Sequence, residues 1–100
     1  MVKHIVFWNV KDEHDGMSKA ELIREIKSRI EGMRETVPTI KTIEVGVDFN
    51  KSESAFEIAL YSTFEDRNAL DEYQRHPAHE QIKTFVGAVT TNRAVVDYEV

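Results

Sequence analysis

Residues 2–10 have the sequence VKHIVFWNV, and this stretch decides the fold class. Alternate residues of a strand point to opposite faces, and both sets are apolar here. One set includes Val2, Val6, Trp8 and Val10, and the other includes Ile5 and Phe7. A strand that is apolar on both faces is typical of a central strand covered on both sides. The sequence therefore opens with a predicted central strand that needs cover on each face.

The residues that follow alternate between strand and helix periodicity. Ser18 and Glu21 have the spacing of a capping box, which predicts a helix over residues 19–35 that ends before Pro38. The polar residues 11–16 are predicted to form a loop. Alternating apolar residues predict strands over residues 40–49, 55–63 and 91–100, and helical spacing predicts helices over residues 65–75 and 78–89.

The predicted order of elements is βαββαβ, the ferredoxin-like α+β arrangement. Right-handed crossovers place both helices on one face of the antiparallel sheet, with the first and third strands at its centre. Ile5, Phe7, Ala59 and Tyr61 would then lie on the uncovered face. Because exposed apolar surface of this size usually marks an interface, we expect a homodimer through the sheet face opposite the helices. The alternative is a monomer whose second sheet face is wet and mixed.

Length and composition limit the class of protein. One hundred residues predict a single domain spanning residues 1–100. The net charge of -5 is spread along the chain, which argues against nucleic acid or anionic membranes as partners. The chain has no cysteine, no recognisable signal peptide and no apolar run long enough to cross a bilayer. These features favour a cytoplasmic protein.

The segment 73–79, YQRHPAH, holds the side chains best suited to acid–base chemistry. It places the phenol of Tyr73 close to the imidazoles of His76 and His79, and histidine exchanges protons near neutral pH. Pro77 favours the first position of a helix, so His76 is expected to be a cap rather than a catalytic residue. The histidines lack the spacing and flanking carboxylates of a metal site, and we expect neither a metal nor a cofactor.

Four stretches together resemble the stress-responsive dimeric A/B barrel family, and the resemblance covers nearly the whole chain. They are VKHIVFW at 2–8, IKTIEVG at 40–46, ALYSTFEDRNALDEYQRHPAH at 59–79 and VVDYE at 95–99. The resemblance implies a ferredoxin-like fold whose paired sheets close into a dimeric α/β barrel. Members of the family include stress-induced proteins and plant polyketide cyclases, so the resemblance implies the fold more firmly than the function.

The resemblance also suggests a site. In the cyclase members, the positions that match His79 and Tyr73 act as an acid–base pair on a poly-β-keto chain, and the position that matches His4 lines a cavity between helices and sheet. The cyclases carry a further histidine near Ile58 that this chain lacks, which predicts a more apolar pocket. Strand parity and helical spacing predict the cavity walls to be Ile26, Ile30, Ile58, Leu60, Ile82 and Phe85.

These observations lead to one principal hypothesis and three alternatives. The principal hypothesis is a protein that binds a small, partly apolar molecule in the pocket between helices and sheet. The first alternative is an acid–base enzyme acting on a carbonyl substrate, with His79 as the base and Tyr73 as the proton donor. The others are a cofactor-free monooxygenase of the related antibiotic-biosynthesis type and a purely structural dimer.

Overall fold

The computed structural model describes all residues, 1–100, and shows an antiparallel sheet with its helices packed on one face. The elements in chain order are β1 Val2–Val10, β2 Glu13–His14, β3 Met17–Ser18, α1 Lys19–Gly32, a 3-10 turn Met33–Glu35, β4 Ile40–Val47, β5 Ile58–Phe64, α2 Arg67–Arg75, α3 Pro77–Val89 and β6 Thr90–Glu99. No helix of the fold combines the length and the apolar composition needed to cross a membrane.

The main sheet has the strand order β4-β5-β1-β6, with all neighbours antiparallel. The predicted first and third strands are β1 and β5, and both are central, so the ferredoxin-like prediction is confirmed. The register places His4 of β1 between Ser62 of β5 and Asp97 of β6. Side chains of directly opposed residues lie on the same face of a sheet, so Asp97 comes next to His4.

The predicted loop over residues 11–16 contains a small hairpin instead. β2 and β3 are joined by Asp15 and Gly16, whose φ angles are 51° and 82°. Two positive φ angles in a two-residue loop define the turn that Asp-Gly favours, so the sequence held the signal for this hairpin. The hairpin leads directly into Ser18, which caps α1, and the predicted capping box with Glu21 is present.

The core lies between the helices and the sheet. Along β1 the residues on the helix side are buried and alternate with half-buried residues on the opposite side. From α1, the predicted stripe of Leu22, Ile26 and Ile30 is at most 2% exposed. Each large apolar side chain that is fully buried contributes about 1.5–3 kcal/mol, so this face supplies most of the stability of the chain.

The sheet face opposite the helices is only partly covered. Ile5, Phe7, Ala59 and Tyr61 are half-buried on this face, because neighbouring side chains shield them. The centroid of the Phe7 ring lies 5.8 Å from that of the Phe56 ring. On the adjoining edge strand β6, Val96 and Tyr98 are 51% and 43% exposed. The result is a mixed but largely apolar surface that the chain's own helices do not reach.

Candidate functional site

A cavity of about 540 Å³ lies between the helices and the sheet. Its walls come from β1, β5, β6, the end of α1 and the facing sides of α2 and α3. Apolar and polar residues both contribute to the lining: His4, Val6, Trp8, Ile30, Met33, Leu60, Tyr73, Gln74, His79, Ile82, Lys83, Val86, Gly87, Thr90 and Arg93. Such a space is large enough for a small organic molecule.

The structure brings together the three titratable residues that the sequence singled out. His4, Tyr73 and His79 all line this cavity. The Tyr73 ring stands edge-on to the His79 ring with a centroid separation of 4.6 Å, and its centroid is 6.1 Å from that of His4. The phenol therefore lies between two imidazoles, within one cavity that is open to solvent on one side.

His4 is held in place by a residue that the sequence did not reveal. Its side chain is 3% exposed, and Nδ1 donates a hydrogen bond to the Asp97 carboxylate from the opposed position on β6. A carboxylate at Nδ1 fixes the orientation and the tautomer of the ring. Nε2 is then the nitrogen that remains available to a molecule in the cavity. Finding Asp97 required the register between β1 and β6, which local sequence patterns do not give.

Tyr73 is buried, with 1% of its surface exposed. Its ring packs against that of Phe64 with a centroid separation of 5.0 Å. Burial raises the pKa of Tyr73 well above its ordinary value of 10.0, because the phenolate would lose its hydration. The hydroxyl therefore stays protonated across the physiological pH range. In chemical terms it is a hydrogen-bond donor to a carbonyl or hydroxyl group.

His79 lies in the first turn of α3, and His76 caps that helix, as expected, by accepting a hydrogen bond from the backbone N–H of Ala78. Burial lowers the pKa of His79, and the charges of Lys83 and His4 act in the same direction, whereas Glu80 and the Gln74 carbonyl oppose the shift. The imidazole is thus neutral near pH 7. Its Nδ1 is buried, while the ring as a whole lines the cavity. A neutral imidazole at a cavity wall can form a hydrogen bond to a bound molecule.

The predicted apolar walls divide into two groups. Ile30, Leu60 and Ile82 line the cavity. Ile26 and Ile58 do not line it and lie within the continuous core. Phe85 lies outside the lining as well, and the Arg29 guanidinium stacks 3.8 Å above the centroid of its ring.

The polar rim of the cavity was missed by sequence reasoning. Gln74, Lys83, Thr90 and Arg93 all belong to the lining. Lys83 follows His79 by one helical turn, so helical spacing could have found it. Arg93 could not be found in this way, because its place opposite Trp8 depends on strand register. No three histidine, aspartate or glutamate side chains come together as a set that could hold a metal ion.

The fold defines a ferredoxin-like α+β protein with a cavity between helices and sheet. The sequence matches the family described as the Stress responsive A/B Barrel Domain over residues 2–100. The chain therefore belongs to this family, and the resemblance seen in the sequence is confirmed. A comparison with curated proteins finds no match.

Solved structures show the same architecture. A dimeric protein of unknown function with a ferredoxin-like fold from Bacteroides fragilis is 33% identical, with a TM-score of 0.86 over 99% of this chain and 95% of that one. A Passiflora edulis hydroxynitrile lyase is 21% identical, with a TM-score of 0.82 over 97% and 90% of the two chains. An antibiotic biosynthesis monooxygenase is 17% identical, with a TM-score of 0.78 over 100% and 98%. The two enzymes share the fold alone.

The assembly state of the neighbours bears on this chain. Several similar structures, from Bacteroides fragilis, Thermobifida fusca and Jannaschia, are described as dimeric ferredoxin-like proteins. Dimeric neighbours at this level of similarity support a homodimer for the present chain. They agree with an apolar sheet face that is left without cover in the single chain.

Proposed function

We propose that this protein binds a small, partly apolar molecule that carries a carbonyl or hydroxyl group, in the cavity between the helices and the sheet. The observation that carries the proposal is the convergence of His4, Tyr73 and His79 on one cavity of about 540 Å³. The apolar walls suit the body of the ligand. The phenol donor and the two imidazoles suit an oxygen atom on it.

The polar groups of the cavity are arranged as a binding site requires. Asp97 fixes His4, while Phe64 and His79 pack against the ring of Tyr73, so the functional groups are held before a ligand arrives. Groups that are already ordered lose little entropy on binding. The half-buried imidazole of His79 lines the same cavity and adds a further hydrogen-bonding group.

The direct test uses a neutral aryl ketone, 1-phenylhexan-1-one, in isothermal titration and thermal-shift measurements. We expect saturable binding with a raised melting temperature, because a ligand that binds only the folded state stabilises it. Tyr73→Phe should weaken binding by about two- to thirteenfold, the range of one hydrogen bond of about 0.5–1.5 kcal/mol.

A blocking variant shows whether the ketone lies in this cavity. A Cβ at Gly87 would meet nothing within 4 Å, so Gly87→Leu should fill the cavity without unfolding the chain. The matched control is Gly32→Leu, at another helical glycine with open space that does not line the cavity. Binding should be lost in Gly87→Leu and kept in Gly32→Leu. Equal binding by the two variants would disprove the proposed site.

A second candidate is acid–base catalysis on a carbonyl compound, and the protonation states of the cavity residues favour it. Neutral His79 can take a proton from the carbon next to a carbonyl, while the protonated phenol of Tyr73 stabilises the enolate oxygen. His4, oriented by Asp97, adds a second imidazole to the same space. The fold also occurs in enzymes, as the hydroxynitrile lyase and the monooxygenase illustrate.

Exchange of the α-hydrogens of 1-phenylhexan-1-one in D₂O tests this activity without knowledge of the natural product. The proton moves from the α-carbon to the base, and deuterium returns from solvent to the same carbon. Acceleration by the wild type, with loss in His79→Ala and Tyr73→Phe, would support catalysis. Exchange at the buffer rate with normal ketone binding would leave a binding protein. The oxygenase and purely structural alternatives have no specific feature of the cavity in their favour.

We further propose that the homodimer forms through the sheet face opposite the helices, in a cytoplasmic protein. Ile5, Phe7 and Val96 lie on that face with no helix above them. Burial of apolar surface favours association by about 25 cal/mol per Å², before the entropy of association is subtracted. Sedimentation velocity at micromolar concentration should give a two-subunit particle, and a single-subunit particle would contradict this interface.

A further inference from the structure

The cavity differs in charge from the rest of the chain. The sequence has 18 acidic and 13 basic residues, for a net charge of -5. The cavity lining contains Lys83 and Arg93 but no aspartate or glutamate. Neither cation takes part in an ion pair within the chain, so both charges are available to a bound anion. A local excess of positive charge in an acidic protein is the place where electrostatic attraction favours the binding of an anion most.

The two cations approach the cavity from different elements. Lys83 lies on α3, one helical turn beyond His79 and on the same side of the helix. Arg93 lies on β6, directly opposite Trp8 of β1. Tyr73, at the end of α2, lines the cavity with both of them. A group bound by both cations would thus be held between a helix and a strand, while the rest of the ligand extends toward Tyr73 and His79.

Gly87 keeps this part of the cavity open. It follows Lys83 by one further turn of α3 and belongs to the lining. Glycine is disfavoured inside a helix relative to alanine. Its φ angle is not positive, and a Cβ there would meet nothing within 4 Å, so neither the backbone nor the packing of the chain requires glycine. The space it leaves is available to a bound molecule.

We propose that the ligand is an amphipathic monocarboxylate whose anionic group is bound by Lys83 and Arg93, with its apolar body in the cavity. The proposal rests on the proposed function and adds the chemical class of the ligand. Arginine binds a planar carboxylate through two parallel hydrogen bonds, and lysine adds a point charge. A single negative charge fits this site better than a dianion, because the adjoining walls of Ile82 and Val86 offer no hydrogen bonds.

A pair of probes tests the charge alone. 4-Hexanoylbenzoate and 4-hexanoylbenzamide have the same aryl ketone body and differ in the charge of the terminal group. At low ionic strength we expect the carboxylate to bind at least about fivefold more tightly, the scale of one or two partly exposed ion pairs. Added salt should weaken the binding of the carboxylate and leave the amide unchanged.

The variants assign the preference to named residues. Lys83→Gln, Arg93→Gln and the double variant should reduce the ratio of carboxylate to amide affinity stepwise toward one, without changing the affinity for the amide. Arg24→Gln is the matched control, since Arg24 is an exposed cation on α1 outside the cavity and the charge change is the same. Gly87→Leu should abolish binding of both probes.

The outcomes separate this inference from the proposed function. If both probes bind equally well to the wild type, the cavity binds ligands but the carboxylate site is disproved. If the preference persists in the double variant, the anion is bound elsewhere and the inference is again disproved. If neither probe binds, nor 1-phenylhexan-1-one, the proposed function fails and the carboxylate site with it.

Discussion

The two faces of β1 are similarly apolar in sequence but differ in what covers them. On the helix side, Val2, Val6 and Trp8 are between 1% and 7% exposed. On the other side, Ile5 and Phe7 are only half-buried, and no helix of the chain lies over them. Apolar alternation thus shows which residues need cover without showing what provides it. One face is covered from within the chain, and the other is suited to a second subunit.

The polar residues of the two faces also differ in their burial and their partners. On the helix side, His4 and Ser62 are buried and partnered, His4 by Asp97 and Ser62 by the backbone carbonyl of His4 at 2.9 Å. On the opposite face, the Lys3 ammonium donates to the Tyr61 hydroxyl at 2.6 Å in a partly exposed position. Fixed polar groups beside a cavity suit recognition of a small molecule. A broad, half-covered surface suits a protein partner.

The largest expected effect comes from placing a carboxylate on each face in turn. Val6→Asp buries an unpaired charge at a position that is 1% exposed and should destabilise the chain by several kcal/mol, enough to prevent folding. Ile5→Asp should leave the fold intact and dissociate the dimer. Circular dichroism and sedimentation velocity measure the two outcomes. If both variants unfold, or if Ile5→Asp remains dimeric, the assignment of the faces is wrong.

Replacing two acidic residues on the same side of β6 should cause smaller and unequal losses of stability. Asp97→Ala leaves the buried Nδ1–H of His4 without an acceptor and should cost about 1–3 kcal/mol. Glu99→Ala removes an equal charge but breaks only the exposed ion pair with Arg67, which is worth about 0–1 kcal/mol. Urea unfolding at pH 7 compares the two variants directly. Equal losses would show that Asp97 has no special role in holding His4.

Gly87→Ala should change stability and binding in opposite directions. Alanine in place of a helical glycine should raise the free energy of unfolding by about 0.5–1 kcal/mol, because the unfolded chain loses freedom and the new Cβ meets no neighbour. Affinity for 1-phenylhexan-1-one should fall, since the methyl group enters the cavity. Thermal unfolding measures the change in stability, and titration calorimetry measures the change in affinity. A gain in stability with unchanged affinity would place the ligand elsewhere.

The smallest effect is the pH dependence that arises from His79. Its pKa is below the ordinary value of 6.5 in the folded chain, so the unfolded chain binds more protons as the pH falls through that region. The contribution of His79 to stability is therefore complete above about pH 7 and decreases as the pH falls below about 6.5. His79→Gln should lose less stability than the wild type between pH 7.5 and 5.5. His14→Gln, at a half-exposed histidine outside the cavity, is the control.

The fold was predictable because its signals are local. The alternation in β1, the capping box of Ser18 and the proline at the start of α3 each specify an element within a few residues. Apart from the hairpin of β2 and β3, the errors fell at the ends of elements. The predicted second strand continued to Phe49, but β4 ends at Val47. Phe49 is 91% exposed and Val47 is 50% exposed.

The site was only partly predictable, for a physical reason. Strand parity and helical spacing place a residue on the correct face, but they do not tell whether it lies beneath a helix or beside the gap between two helices. Ile26 and Ile58 thus lie on the predicted face and within the core, whereas Ile30 and Leu60 border the cavity. The pairing of His4 with Asp97 spans 93 residues and depends on the register of β1 with β6, which no local pattern contains.

The most direct test of the distinction between the faces is the chemical-shift change of backbone amides when 1-phenylhexan-1-one is added to the labelled protein. We expect the largest changes at Tyr73, His79, Lys83 and Gly87, around the cavity, and no change at Ile5 on the opposite face. Changes centred on Ile5 and its neighbours, or none at saturating ketone, would contradict this expectation.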